Sequence, residues 1–259
     1  MPVTGVPELV ATAALLSGVA GSAYYAVWGV RSQWLGPSDW RGRTDTGSVA
    51  LTFDDGPGED TEAVLDLLAA ADVPATFFMI GRNVERCAKT AQRLVADGHD
   101  VGNHSYSHPI YLYRTRRETY RELARAQQVI ADVTGLQPMW SRPPCGVRTP
   151  AYFAAAHALG LRTVQWTVAG FDWKKHTASA IASDVLAGAD AGSIVLLHDA
   201  DSRGRTNRRE TVAALPVILE GLGKRQLTVV PLGELLPPEE PELPVDRAKH
   251  AIAARKAPL

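Results

Sequence analysis

From Ser48 to Pro231 the chain alternates short apolar runs with longer amphipathic ones, and this alternation restricts the fold more than any other feature. Strand and helix runs in strict turn are accommodated by parallel βα units, since a parallel crossover needs a helix-length connection. Strands are expected from Ser48 to the Asp54-Asp55 pair, at Ala75 to Ile80, Asp100 to Gly102, Met139 to Arg142, Thr163 to Val168, Ser193 to Leu197 and Leu227 to Pro231. Helices are expected at Glu59 to Ala71, Val84 to Asp97, Arg116 to Thr134, Tyr152 to Leu159, Ala178 to Ala189 and Glu210 to Leu222. About seven strands in this order predict an α/β barrel related to the (β/α)₈ type, with an open doubly wound sheet as the alternative.

With 259 residues, 46% of them hydrophobic, the chain has room for one large domain plus an anchor and a tail. Lys and Arg number 27 against 28 Asp and Glu, so no electrostatic footprint for nucleic acid is present. Two cysteines, Cys87 and Cys145, do not make a disulfide framework. Leu9 to Val30 carries no charged side chain and ends in Tyr24, Tyr25 and Trp28. As a helix it would cover the ~30 Å of a bilayer core, with an interfacial aromatic belt at its far end, so a transmembrane anchor is expected over residues 9–30 after a tip of residues 1–8. No Lys or Arg precedes it, which argues against a secretory signal; cleavage near Ala20 or Ala23 is the alternative. Residues 31–46 read as a linker, and the Pro-, Ala- and charge-rich residues 237–259 as a disordered tail. The folded domain is expected on the extracytoplasmic side, with the cytoplasmic side as the alternative that Arg31, Arg41 and Arg43 favour by charge.

The chemistry-bearing residues follow strands: Asp54-Asp55, then His104 and His108, Arg142, Asp172-Trp173 and His198. In barrels and open α/β sheets that rim is where sites assemble. Gly56-Pro57 stops the first strand directly after its two acids, whose side chains, if extended, point opposite ways. His104 and His108 are four apart, which one helical turn would bring onto a common face. Together with Asp55 they make a three-ligand set of the catalytic-zinc type, with positions left for water and substrate. Ser141 to Gly146 is a stiff loop able to hold a guanidinium and expose a backbone N–H. Trp140, Trp166, Tyr111 and Tyr113 read as core, with sugar stacking as the alternative. The arginine-rich run Arg203 to Arg209 reads as a solvated loop, with contact to a phosphate or an anionic headgroup as the alternative.

Thr52-Phe53-Asp54-Asp55-Gly56-Pro57, His104-x-x-x-His108, Arg142-Pro143-Pro144-x-Gly146, Asp172-Trp173 and Leu196-Leu197-His198 together resemble the five ordered motifs of the polysaccharide deacetylases, the NodB homology domain or carbohydrate esterase family four. The resemblance covers about residues 47–236 and implies a distorted (β/α) barrel, a zinc ion or another divalent transition metal, and hydrolysis of N-acetyl groups on an amino sugar. It implies Asp54 as general base, Asp55, His104 and His108 as metal ligands, Arg142 as partner of the base and His198 as general acid. It further implies the Cys145 N–H as an oxyanion donor, and Asp172 and Trp173 at the substrate, with Trp173 walling the acyl methyl. The substrate so implied is an N-acetylated glycan of the cell envelope, peptidoglycan or chitin-like; a lipid-linked saccharide, or a glycan-binding barrel with little turnover, are the alternatives. Two positions depart from the family pattern. Ala169 stands where an Asp that orients the acid histidine is usual, a role Asp172 or Asp199 would have to take, and Cys145 stands where an aromatic is usual.

Overall fold

The computed structural model of the protein describes residues 6–174 and 176–236, with the backbone alone for residues 6–16. The expected tail at 237–259 lies outside the described residues. Helix α1 (Val6–Trp28) precedes strand β1 (Ser48–Asp54). There follow α2 (Thr61–Ala70), β2 (Thr76–Met79), α3 (Gly81–Arg86), α4 (Ala88–Ala96), β3 (Asp100–Asn103) and α5 (Arg116–Thr134). Next come β4 (Trp140–Ser141), α6 (Pro150–Ala158), β5 (Arg162–Thr163), β6 (Val168–Ala169) and α7 (Ala178–Gly188). The series closes with β7 (Ile194–His198), α8 (Arg209–Lys224), β8 (Thr228–Val229) and α9 (Leu232–Leu235). Every strand pair is parallel, in the order β5-β4-β3-β2-β1-β7-β6, with β8 beside the start of β1.

The sheet is a half-barrel, because its end strands β5 and β6 do not pair with each other. A single strand at Thr163 to Val168 was expected there, and the structure splits it. The Val164 and Gln165 carbonyls accept from the Arg142 guanidinium instead of from a neighbouring strand (3.3 and 2.9 Å). The stretch read as a linker enters this gap. Asp39 N–H donates to Thr163 O (2.9 Å), Gln165 N–H to Asp39 O (2.6 Å) and Thr167 Oγ1 to Trp40 O (2.6 Å).

Strand β1 sits at the centre and is buried along its whole length. Its period of two divides the labour: Val49, Leu51 and Phe53 enter the core shared with the helices, where Phe53 stacks on Phe77 at 5.1 Å. Thr52 and Asp54 point the other way, and both accept from Arg142 Nη1 (2.8 and 2.7 Å). Helix α5 starts with a Thr115/Glu118 capping box and stops at left-handed Gly135, as its sequence requires. The helix expected over Val84 to Asp97 breaks at Cys87 (φ −120°, ψ 46°) into α3 and α4.

The expected transmembrane reading of Leu9 to Val30 is not supported. The backbone there is helical, but among the described residues no helix is long and apolar enough to cross a membrane. The far end of α1 docks on the domain instead of running free. Buried Arg148 donates through Nη1 to Ser32 O (2.8 Å) and through Nη2 to Gly29 O, and its N–H donates to Val27 O (3.3 Å). These bonds tie the end of the helix and the turn after it to the domain, where late helix carbonyls lack partners within the helix.

Candidate active site

The polar residues singled out by sequence converge at the C-terminal ends of β1, β3, β4 and β7. Register brings Asp54 of β1 directly beside His198 of β7. Adjacent Asp54 and Asp55 do not face opposite ways as extended geometry would demand. Asp55 has φ 77°, so the chain turns and both carboxylates reach His104 Nε2, at 3.8 Å from Asp54 and 3.5 Å from Asp55. The histidines likewise are not on a helical turn. They lie in the loop after β3, where Ser105 (φ 67°) and His108 (φ 59°) are left-handed and direct His108 Nε2 to 3.3 Å from Asp55 Oδ1. Cys145 (φ 56°) and Phe171 (φ 52°) repeat the pattern nearby. Strained backbone held by its surroundings is a mark of functional loops.

Asp55, His104 and His108 offer one ligand atom each within 4.8 Å of one another. Two imidazole nitrogens about 2.0–2.1 Å from a tetrahedral ion lie roughly 3.3 Å apart, close to the 3.3 and 3.5 Å found from Asp55 Oδ1 to the two imidazoles. Asp55 Oδ1 is buried and has no hydrogen-bond partner among the described residues, a costly state for a carboxylate oxygen unless a cation satisfies it. Its Oδ2 accepts from Ser202 N–H (3.2 Å), and its carbonyl from Asn83 Nδ2 (2.7 Å). His104 Nδ1 donates to Arg142 O (2.7 Å), which leaves Nε2 as the ligand atom. The donor set therefore fits a divalent cation of the zinc type.

Burial pushes the imidazoles of both His104 and His108 down to about 3, and the Asp55 carboxyl up to about 6. Both rings are thus neutral, as ligands must be. Arg142 is wholly buried, its Nη1 2.7 Å from Asp54 Oδ1. That pairing lowers the Asp54 carboxyl, but burial outweighs it and the net direction is upward, opposite to the effect Arg142 alone would have.

His198 behaves differently. Burial would lower it, yet the Asp172 carboxylate 2.8 Å from its Nδ1, helped by Asp55 and Asp54, raises it to about 9. Asp172 Oδ2 accepts from His198 N–H (2.7 Å) and Thr211 Oγ1 (2.9 Å). Burial would raise this carboxyl too, but the His198 charge holds it below its ordinary range. The Asp172 side chain is enclosed and both its oxygens are engaged by His198 and Thr211, so it lies where the carboxylate missing at Ala169 would act on His198. Asp199 points elsewhere, accepting from Thr61 Oγ1 (2.5 Å).

Trp173 is 44% exposed and meets the His198 ring edge-on at 5.4 Å. Cys145 is exposed, and among the described residues nothing accepts from its N–H. Its thiol is raised by partial desolvation and by the Asp55 and Asp54 carboxylates, so it is not a thiolate. Trp140 and Tyr111 are core, whereas Tyr113 is 75% exposed. Sequence reasoning missed Thr211, Asn83 and Ser202; a threonine inside a helix and a backbone N–H in a loop carry no local signal.

The family model for polysaccharide deacetylase matches residues 41–164. A chitooligosaccharide deacetylase from Bradyrhizobium is 38% identical over 199 residues, covering 73% of this chain and 91% of that protein. The chain belongs to the polysaccharide deacetylase family. A peptidoglycan N-acetylglucosamine deacetylase from Listeria monocytogenes is 37% identical over 188 residues, 72% of this chain. The match spans only 38% of that relative's length. Among solved polysaccharide deacetylases, a peptidoglycan N-acetylglucosamine deacetylase superposes with TM-score 0.72 at 31% identity, covering 77% of this chain and 92% of that one. A pseudoenzyme of carbohydrate esterase family four from Bacillus anthracis gives TM-score 0.70 at 30% identity, covering 76% and 68%.

Proposed function

We propose that this chain is a metal-dependent hydrolase that removes N-acetyl groups from amino sugars of a cell-envelope glycan, peptidoglycan or chitin-like. The observation that carries the reading is two arrangements in one pocket: His104 and His108 converging with Asp55 on one point, and His198 held through Nδ1 by the Asp172 carboxylate at 2.8 Å. Asp55, His104 and His108 would hold a zinc ion or another divalent transition metal, which supplies Lewis-acid polarisation and lowers the pKa of water. Arg142 binds Asp54 Oδ1 and leaves Oδ2 toward the pocket, where it takes the proton of the attacking water. The Cys145 N–H donates to the oxyanion that forms on the acyl carbon, a contribution of about 3 kcal/mol where such donors have been removed elsewhere. His198, fixed through Nδ1, gives its Nε2 proton to the departing amine as the C–N bond breaks. Trp173 walls the acyl methyl.

Acetate release from N-acetylated chitooligosaccharides and from peptidoglycan, with and without zinc, tests the reading. Release that needs zinc and collapses in Asp54→Asn and His198→Ala is expected; tight zinc binding without acetate from either substrate would sink it. That second outcome is the signature of a glycan-binding barrel with little turnover, a reading favoured by the structural likeness to a pseudoenzyme. An envelope substrate puts the domain on the extracytoplasmic side. Tryptic cleavage after exposed Lys174 in intact cells is expected, and its protection until lysis would refute that location.

A further inference from the structure

Beside the metal-ligand trio lies a second cleft, of about 640 Å³, that the proposed chemistry does not use. Both of its long walls start at the site: Gly58 to Asp60 continue from Asp55, and Ala200 and Asp201 continue from His198. The adjoining Ser202 donates its N–H to Asp55 Oδ2 (3.2 Å) and accepts at its carbonyl from Arg82 Nη2. A glycan with one sugar at the trio therefore has this cleft as the surface for a neighbouring group.

The charges in the cleft are unevenly matched. Its acids are internally answered: Asp60 Oδ2 accepts from Arg208 N–H, Asp201 Oδ2 from Arg205 N–H (2.7 Å), and Glu59 lies 3.4 Å from Arg209 Nη2. Its exposed guanidiniums are not. Among the described residues, Arg86 and Arg205 have no carboxylate within salt-bridge distance. Behind them Arg208 is buried, its Nη2 3.6 Å from Asp201 Oδ1 and its Nη1 on Thr206 Oγ1 (3.1 Å), so it serves the cleft's acids while Arg86 and Arg205 stay free. Free guanidiniums in a partly enclosed cleft select planar or tetrahedral oxyanions.

We propose that this cleft is a subsite for an anionic substituent, a carboxylate or a phosphate, carried on the glycan next to the N-acetylated sugar, with Arg86 and Arg205 as its specificity residues. The proposal rests on the deacetylase reading for the placement of the sugar, and it separates charged wall glycans from neutral chitin-like ones as substrates.

The test is equilibrium binding to the full chain, zinc-loaded and blocked by Asp54→Asn. The ligands are chitotetraose and tetrasaccharides of equal length bearing lactyl carboxylates or a phosphate monoester. The affinity ratio of charged to neutral ligand is expected to be roughly fivefold or more at low salt, to shrink at high salt and to fall to about one in Arg86→Gln/Arg205→Gln. Both side chains are exposed, so the substitutions leave the core untouched. Whichever anion gives the larger ratio is identified as the natural group, and either supports the subsite. A ratio near one in the parent, or one unmoved in the double variant, overturns it. Acetate release by the unblocked chain is scored apart: its absence would refute the deacetylase and not this ratio.

Discussion

Two halves of one pocket treat the same side chain in opposite ways. His104 is buried and His198 half-buried at strand ends on one rim, yet one imidazole falls to about 3 and the other rises to about 9. Burial disfavours the charged form in both, so burial cannot be what distinguishes them. The difference lies at Nδ1. His104 donates there to a neutral carbonyl, Arg142 O, and His198 to the Asp172 carboxylate. A carbonyl orients a ring without compensating its charge, whereas a carboxylate stabilises the imidazolium; in the proposed mechanism the first suits a ligand and the second an acid.

Removing one side of the contrast gives the largest expected effect. Asp55→Asn should abolish acetate release, by about 10³-fold or more, and weaken zinc binding about 10–100-fold by competition titration. His198→Ala should cost about 10²–10⁴-fold in kcat while zinc affinity stays near the parent's. Equal loss of metal from both variants would erase the division between the halves.

Asp172→Asn sharpens the comparison by making His198 resemble His104. The His198 titration, followed by NMR in the metal-free protein, should fall from about 9 toward the ordinary imidazole range, because only the Asp55 and Asp54 carboxylates are then left to offset burial. Since the folded value is the higher one, the stability this pair contributes is full below about pH 6.5 and is lost as pH rises through about 9. Urea unfolding should accordingly lose stability between pH 7 and 10 in the parent but much less in Asp172→Asn. The smallest effect is expected at Cys145: Cys145→Ala should stay within about threefold in turnover, as only its N–H is used, and alkylation of the parent thiol should be slow.

The site was legible in the sequence to the extent that its residues end strands. Asp54, His104, Arg142 and His198 were placed at one rim by alternation alone, and the structure brings them together there. What alternation misjudged was direction. The opposed acids, the helical histidine pair and the continuous Thr163 to Val168 strand all assumed regular backbone, and regularity is what this rim gives up. The left-handed φ of Asp55 and His108 is not written in an Asp or a His: both types enter that region more readily than most, yet only at a small minority of their positions. Nor does local sequence reveal that residues 38–41 would lie against the open edge.

The sequence by itself determined the parallel βα order, the buried centre at β1 and which side chains reach the rim, since a period of two and its termination by Gly56-Pro57 are local properties of the chain. Tertiary structure decided the partners. Asp172 and His198 are 26 residues apart, and only the packing of α8, which adds Thr211, and the pairing of β6 with β7 bring them into contact. A proton affinity is set by whatever surrounds a group in space, so the same residue type binds its proton weakly or strongly only once the fold has chosen its neighbour.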